Sequence, residues 1–333
     1  MKKIIGLSCG RKNGMCESFL RAAAAGAQEV GVETEIIRAM ELKVLPCKGC
    51  RGCRTLGRCV LKDDVDWILD RTCRDDGGLI VAVPCYHIRS NSILTSINER
   101  MNHVFTDHPE ILDKTRVGGI IGVGGSGYDG WASLNLPLVN IFVQHTRVLV
   151  DQMQINHCGL KEWNLWMQQG SSPTSNTHTA RIQDNTYEKI WQLWKEDYDA
   201  LDFKQKAYAR AKKLGRNVAE AMQMPLEKVK YVGEHSTVSC PVCHSNILLV
   251  PEKLPYVMCP VCAVRGTVSV KNDEFKVVWN KKDAQNPRFS REAVAHHFGW
   301  LGQHGQRAVP EQEKIKALSD SFSGCGKVIK PEN

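Results

Sequence analysis

The stretch PCKGCRGCRTLGRC sets Cys47, Cys50, Cys53 and Cys59 at C-x2-C-x2-C-x5-C spacing. Four thiols so close together suit metal or redox chemistry wherever disulfides are not maintained. Three cysteines at successive x2 spacings wrap a loop around a compact object, as in ferredoxin-type runs, and Cys59 is near enough to complete the set locally. Structural zinc ordinarily takes two cysteine pairs across a longer spacer, or a histidine, and no histidine lies in this loop. Gly49, Gly52 and Gly57 let the backbone fold tightly and turn N–H groups toward sulfur. Lys48, Arg51, Arg54 and Arg58 suit the negative charge of a thiolate-held cluster. A [4Fe–4S] cluster fits this spacing best; a zinc ion and a metal-free loop are the alternatives.

A second set, Cys240, Cys243, Cys259 and Cys262, has the spacing C-x2-C-x15-C-x2-C. That is a four-cysteine zinc pattern. The segments NILLV, TVSV and FKVVW alternate like ribbon strands. The region resembles a zinc ribbon and, more distantly, rubredoxin, which would place iron rather than zinc there. A piece of about 50 residues has little core and needs a metal staple. His244, beside Cys243, reads as a solvated neighbour. His296, His297 and His304 do not share one clear helical face, so packing or substrate contact is the plainer reading. Cys73, Cys158 and Cys325 read as incidental thiols.

Positioning these groups requires a scaffold, and the first half of the chain supplies its pattern. Apolar runs at 3–7, 33–38, 77–83, 116–123 and from 147 onward read as strands. Between them, 17–30, 64–74, 92–105 and 134–145 carry helical spacing. Strands alternating with helices imply a parallel sheet covered on both faces, with ligands beyond the C-terminal strand ends. Four loops leave those ends: SCGRKNGMC from Ser8, the four-cysteine loop, PCYHIRSNS from Pro84, and GGSGYDG from Gly124. The first opens a helix and carries Arg11 and Lys12, which suits a phosphate. It fits neither the P-loop nor the G-x-G-x-x-G pattern, and a plain tight turn is the alternative.

The ordered segments IIGLSCGRKNGMCE, LPCKGCRGCRTLGRCVLKDDVDWI, GLIVAVPCYHIRSNSILTSINER and VGGIIGVGGSGYDG resemble the iron–sulfur flavoprotein branch of the flavodoxin-like NAD(P)H-dependent FMN reductases. The resemblance covers roughly residues 1–180. It implies that Ser8, Gly10, Arg11, Asn13, Gly14 and Cys16 hold the FMN phosphate. It further implies that Pro84, Cys85 and Tyr86 flank the isoalloxazine ring, with Gly124, Gly125 and Ser126 on its other edge. Cys47, Cys50, Cys53 and Cys59 match the motif that ligates a [4Fe–4S] cluster in this branch. Three departures stand out. The phosphate loop usually reads Ser-x-Ser-Pro-Arg and is one residue longer, whereas Pro is missing here and Cys9 and Cys16 replace hydroxyl or small residues. A common ring-side Gly is Ile88, and a common basic residue is Thr95. The ring-side pocket is therefore reshaped, with Tyr86, His87, Arg89 and Cys85 as candidates to act on whatever binds; small-residue packing is the plain alternative for Cys85.

The chain has 333 residues and 14 cysteines, with 42% hydrophobic and 24% charged residues, which is the balance of an ordinary globular protein. No apolar run approaches the ~20 residues of a membrane span, and the short run after Lys3 is no signal-peptide core; a cytoplasmic protein is expected. The fold expected is α/β, a flavodoxin-like doubly wound parallel sheet with a helical segment and a small zinc-ribbon-like C-terminal domain. Its divisions are a flavin domain at 1–182, a helical linker or oligomerisation segment at 183–230, a ribbon at 231–284 and a tail at 285–333. The leading function is an FMN-dependent oxidoreductase, which splits flavin electron pairs through the cluster and reduces a small acceptor such as a quinone or aromatic compound. NAD(P)H or ferredoxin is the expected donor and a homodimer or homotetramer the expected assembly. The rival is a redox-sensing nucleic-acid-binding protein: the net charge is +8, and residues 204–230 carry eight Lys and Arg against two Glu. No aromatic stacking series accompanies those cations, which argues against nucleic acid.

Overall fold

The computed structural model describes residues 2–74, 76–86, 89–101, 104, 109–124, 135–155, 200–271 and 274–321. His87, Ile88, Gly125, Ser126, Cys158, Cys325 and residues 183–199 of the helical segment lie outside these residues. Strands β1 (Ile4–Ser8), β2 (Thr34–Arg38), β3 (Gly78–Tyr86), β4 (Arg89–Ser90), β5 (Val117–Gly124) and β6 (Val148–Ile155) form one sheet. Its order is β2-β1-β3-β5-β6, all parallel, with β4 folding back antiparallel on the end of β3. The chain winds outward in both directions from β1, so the switch point falls between β1 and β3, where ligand crevices form.

The apolar runs of β3 and β5 are buried on both faces because helices cover both. One cover is α1 (Met15–Gln28), whose Phe19, Leu20 and Ala23 pack on Ile4, Ile80 and Ile121. The other contains α3 (Val65–Leu69), α4 (Ser92–Glu99) and α5 (Leu136–Gln144), following the short α2 (Gly52–Leu56) of the cysteine loop. There Ile68, Leu94, Ile97 and Phe142 meet Val81 and Ile120. The helix expected over 64–74 continues past Leu69 as a π-helical turn, Asp70–Arg74, in which the Thr72 hydroxyl donates to Ile68 O at 2.7 Å.

The stretch read as a linker behaves differently. Helix α6 (Ala200–Met222) lies beside α1 and completes its layer, with Leu214 and Val218 against Gly119 of β5. A Cβ added to Gly26 would sit 1.9 Å from Lys212 O, and one on Gly215 would sit 1.8 Å from Ala23 O. The two backbones touch because neither residue has a side chain. Fully buried Asp151 of β6 accepts from Arg210 Nη1 at 2.9 Å and Asn217 Nδ2 at 2.8 Å, locking the other side of α6. Beyond α6, Val232 N–H donates to Val150 O at 2.8 Å and begins to cover the β6 edge.

The C-terminal region is a three-stranded antiparallel sheet of β7 (Val257–Met258), β8 (Arg265–Lys271) and β9 (Glu274–Trp279). TVSV and FKVVW lie in β8 and β9 as expected. NILLV contributes a single bridge, Leu249 to Met258, before Pro251 ends the pairing. Helices α7 (Lys281–Gln285), α8 (Arg291–Ala308) and α9 (Gln312–Asp320) follow. This region docks on α5 and β6: Ile141 packs on its core, His145 meets Phe289 edge-on at 4.4 Å, and Arg291 pairs with Asp113. No helix among the described residues is long and apolar enough to cross a membrane.

Candidate flavin and metal sites

The loop leaving β1 is built as an anion cradle. Cys9 N–H still pairs with Ala82 O at 2.9 Å, after which Gly14 N–H closes a turn on Arg11 O at 3.0 Å. A Cβ on Gly10 would lie 2.8 Å from Cys16 Cβ, so the concavity exists only with glycine there. Helix α1 starts from extended Gly14 with no side-chain cap, and its dipole presents positive charge to the loop. The Ser8 hydroxyl is buried without a hydrogen-bond partner. An uncapped helix start, a glycine-lined hollow and a stranded hydroxyl fit the phosphate end of FMN.

Glu17, which sequence reasoning passed over as an ordinary helix residue, holds this loop in shape. Its buried carboxylate accepts from Asn13 N–H at 2.9 Å, from Arg21 Nε at 3.0 Å and from Arg38 Nη2 at 2.9 Å. Asn13 is left-handed, with φ 56°. The Arg38 hydrogen bond, working against burial and helped by Asn13 N–H and Arg21, lowers the Glu17 pKa to about 2.

The ring-side loop leaves β3 at Pro84. Cys85 stands in register with Gly124 of β5 on one side and Ser90 of β4 on the other, so the β3 and β5 loops emerge together. Tyr86 is half exposed; burial and Cys16 push its pKa up while Arg11 opposes. Asn135 was also missed. It is fully buried, donates from Nδ2 to Val83 O at 3.3 Å, accepts from Ser90 Oγ at its own carbonyl at 3.2 Å, and leaves Oδ1 unpartnered. Its only sequence signal is its place just after the GGSGYDG loop.

Cys47, Cys50, Cys53 and Cys59 line one pocket together with Lys48, Arg51, Val60, Leu61, Glu99 and Arg100. The loop turns through left-handed Gly49, Arg51 and Gly57, and Gly49 N–H donates to Cys47 Sγ at 3.4 Å. Its neck is pinned where Leu45 N–H donates to Asp63 Oδ2 at 2.8 Å and Asp64 N–H to Lys43 O at 2.9 Å. Four thiols that share one pocket with Lys48, Arg51 and Arg100 fit a thiolate-held iron–sulfur group, whose negative charge these cations suit. Among the described residues, the cysteines that gather within 4.8 Å are those of the C-terminal region.

Those four, Cys240, Cys243, Cys259 and Cys262, are buried, and they form two matching knuckles. Cys240 N–H donates to Ser245 O and His244 N–H back to Cys240 O, at 2.9 and 3.0 Å. Cys259 N–H donates to Val264 O and Ala263 N–H to Cys259 O, each at 2.9 Å. His244 and Ala263 are both left-handed, at φ 56° and 59°. Hydrogen bonds from Cys240 and the other thiols hold Cys259 well below the usual thiol range. His244, expected to be solvated, is half-buried and stacks on Tyr231 at 3.5 Å. His296 and His297 are exposed on α8. Of the cations in 204–230, Arg210 pairs with Asp151, and Lys212 and Arg216 with Glu29, so these three serve the fold.

Residues 2–157 match the NADPH-dependent FMN reductase family. The chain is 35% identical over 125 residues to an iron–sulfur flavoprotein of Methanosarcina thermophila, a match covering 37% of this chain and 64% of that one, just under two thirds. It is 30% identical over 149 residues to an iron–sulfur flavoprotein of Methanocaldococcus jannaschii, covering 44% of this chain and 75% of that one. A solved flavone reductase, 19% identical, superposes with TM-score 0.68 over 99% of this chain and all of its own, so the fold, C-terminal region included, is shared. With its flavodoxin-like sheet and a match that spans three quarters of the second relative, this chain belongs to the iron–sulfur flavoproteins.

Proposed function

We propose that this protein is an FMN-dependent oxidoreductase that accepts reducing equivalents from NAD(P)H or a reduced ferredoxin and delivers them singly, through a [4Fe–4S] cluster on Cys47, Cys50, Cys53 and Cys59, to a small acceptor such as a quinone or an aromatic compound. FMN supplies two-electron acceptance with one-electron release, and the cluster single-electron exchange. The observation that carries this reading is α4. Its N-cap Asn91 ties the phosphate loop through Cys9 O, and the residue after its last turn, Arg100, lines the cysteine pocket. Eight helical residues span about 12 Å, so one short rigid element joins the two sites.

In this reading the α1 N-terminus and Arg11 hold the phosphate, Pro84, Cys85 and Tyr86 flank the ring with Gly124, Gly125 and Ser126 opposite, and His87 and Arg89 face the acceptor. The C-terminal quartet holds structural zinc. We expect a cytoplasmic homodimer or homotetramer, since the exposed Cys47 and Cys50 suit a compartment that keeps thiols reduced. The test is anaerobic purification followed by flavin, iron and sulfide assays, with turnover measured on quinones, nitroaromatics and flavones. Cys50→Ala should retain flavin and donor-driven flavin reduction but lose about four irons and four sulfides per chain, together with one-electron delivery. Wild-type protein without flavin sinks the whole reading. Wild-type protein with flavin but no iron beyond any at the C-terminal quartet reduces it to a plain flavin reductase.

A further inference from the structure

The four-cysteine pocket has several cations at its mouth, but one stands inside the protein. Lys48 and Arg51 are exposed to solvent, whereas Arg100 is only 3% exposed. Arg100 follows the last turn of α4. Its Nη1 donates to Leu45 O at 3.4 Å and to Asp63, the same carboxylate that takes Leu45 N–H and Val65 N–H, so the guanidinium closes the neck of the cysteine loop. Nη2 reaches only to Asp66 Oδ1 at 3.5 Å, and the buried Nε has no hydrogen-bond partner. A buried N–H left unpaired costs free energy, and this one belongs to a residue that lines the sulfur pocket.

Resting on the cluster reading above, we infer that Arg100 is the resident counter-cation and positioning residue of the four-cysteine site: it fastens the loop's neck through Leu45 and Asp63 and keeps Nε–H and a buried positive charge for the thiolate-held group. Reduction by one electron adds one negative charge to that group, and a buried cation favours the more negative state. Solvent and salt screen Lys48 and Arg51 but reach Arg100 far less. Asp63 offsets part of this charge, but Arg100 is among the residues that line the sulfur pocket and Asp63 is not, so the cation is the nearer of the two to the thiolate-held group. Arginine also supplies the planar fork that a lysine lacks.

The test compares wild type, Arg100→Gln and Arg100→Lys as anaerobically purified full-length holoproteins. Flavin content checks the fold, and potentiometric titration followed by electron paramagnetic resonance reads the cluster. At a fixed poise, Arg100→Gln should lower the reduced-to-oxidised ratio of the cluster at least tenfold, which is 59 mV for a one-electron couple. Arg100→Lys, which keeps the charge, should fall between Gln and wild type. If the Gln variant cannot hold iron, iron retained by the Lys variant at a potential near wild type supports the inference, and iron lost from both overturns the charge role. A Gln variant with full iron and an unshifted potential overturns the inference while leaving the cluster reading intact. Wild-type protein without a cluster removes both, and its iron assay shows that before any variant is made.

Discussion

Asn91 donates from Nδ2 to the backbone carbonyl of Cys9 at 2.6 Å while its Oδ1 accepts from Leu94 N–H at 3.3 Å, so the residue that caps α4 also pins the loop leaving β1. The two bonds can be separated. Asn91→Ser keeps an N-capping oxygen but cannot reach Cys9, whereas Asn91→Ala removes both. The Ala variant should lose about 1 kcal/mol for the cap and more for stranding the buried carbonyl. The Ser variant should melt closer to wild type yet release FMN severalfold more readily. Thermal melts and flavin-fluorescence titrations check the pair; equal FMN affinity in the Ser variant would mean that Cys9 O does not shape the cradle.

Glu17 makes acid sensitivity a property of the same loop. Folding lowers its pKa to about 2 through the Arg38 hydrogen bond, with Asn13 N–H and Arg21 contributing. Its ionised form therefore stabilises the fold fully above the unfolded value, about 4.5, and that stabilisation drains away as pH falls from there toward 2. At neutral pH it should amount to about 1–3 kcal/mol. Glu17→Gln should cost this at pH 7 and progressively less below pH 4.5. Denaturant melts of both proteins from pH 7 down to 3 measure it, and a gap that stays constant with pH would assign the cost to packing instead of charge.

The strand–helix alternation, the four loops at the strand ends and the two cysteine sets were legible because each rests on local spacing. What escaped depends on partners far away in the chain. Residues 204–230 looked like a basic linker because nothing local reveals that Gly215 meets Ala23, nearly two hundred residues earlier. Arg100 ends the segment SILTSINER, whose spacing says nothing of a pocket, and only the fold carries it to the neck of the cysteine loop at Leu45. Glu17 reads as an ordinary first-turn acid until Arg38 arrives from the end of β2. NILLV has strand composition, but Pro251 stops its pairing after one bridge.

The α1–α6 crossing offers a direct stability test. With the Ala23 carbonyl 1.8 Å from any Cβ on Gly215, backbone must move, since no flexible side chain is there to yield. Gly215→Ala should destabilise by about 1–3 kcal/mol or more, although alanine is the better helix former by about 1 kcal/mol. Gly299, on α8, has nothing within 4 Å of its added Cβ, so Gly299→Ala serves as the control and should be neutral or slightly stabilising. Urea melts of the two variants decide it; a stable Gly215→Ala would show that α6 does not lie on α1 as described.

The C-terminal quartet should be separable from the flavin. Gln152 of β6 donates from Nε2 to Cys243 O at 3.2 Å, and its Oε1 accepts from Asn140 Nδ2 of α5 at 3.3 Å, so the first knuckle is stitched to the sheet through buried amides. Yet Asp113 and His145, which also contact this region, precede β5 and β6, at the N-terminal ends of the strands. The flavin loops leave the opposite ends. With little core besides Val261, Val264 and Phe289 around the cysteines, the region should depend on a metal bound by them for folding. Cys240→Ser should release one metal ion per chain and make residues beyond 231 sensitive to limited proteolysis. FMN should remain bound, because among the described residues the knuckles are tied to β6 and α5, not to the loop that leaves β1. Elemental analysis of the wild type distinguishes zinc from iron, and metal content in the Cys240→Ser variant equal to wild type would show that these four thiols hold no ion.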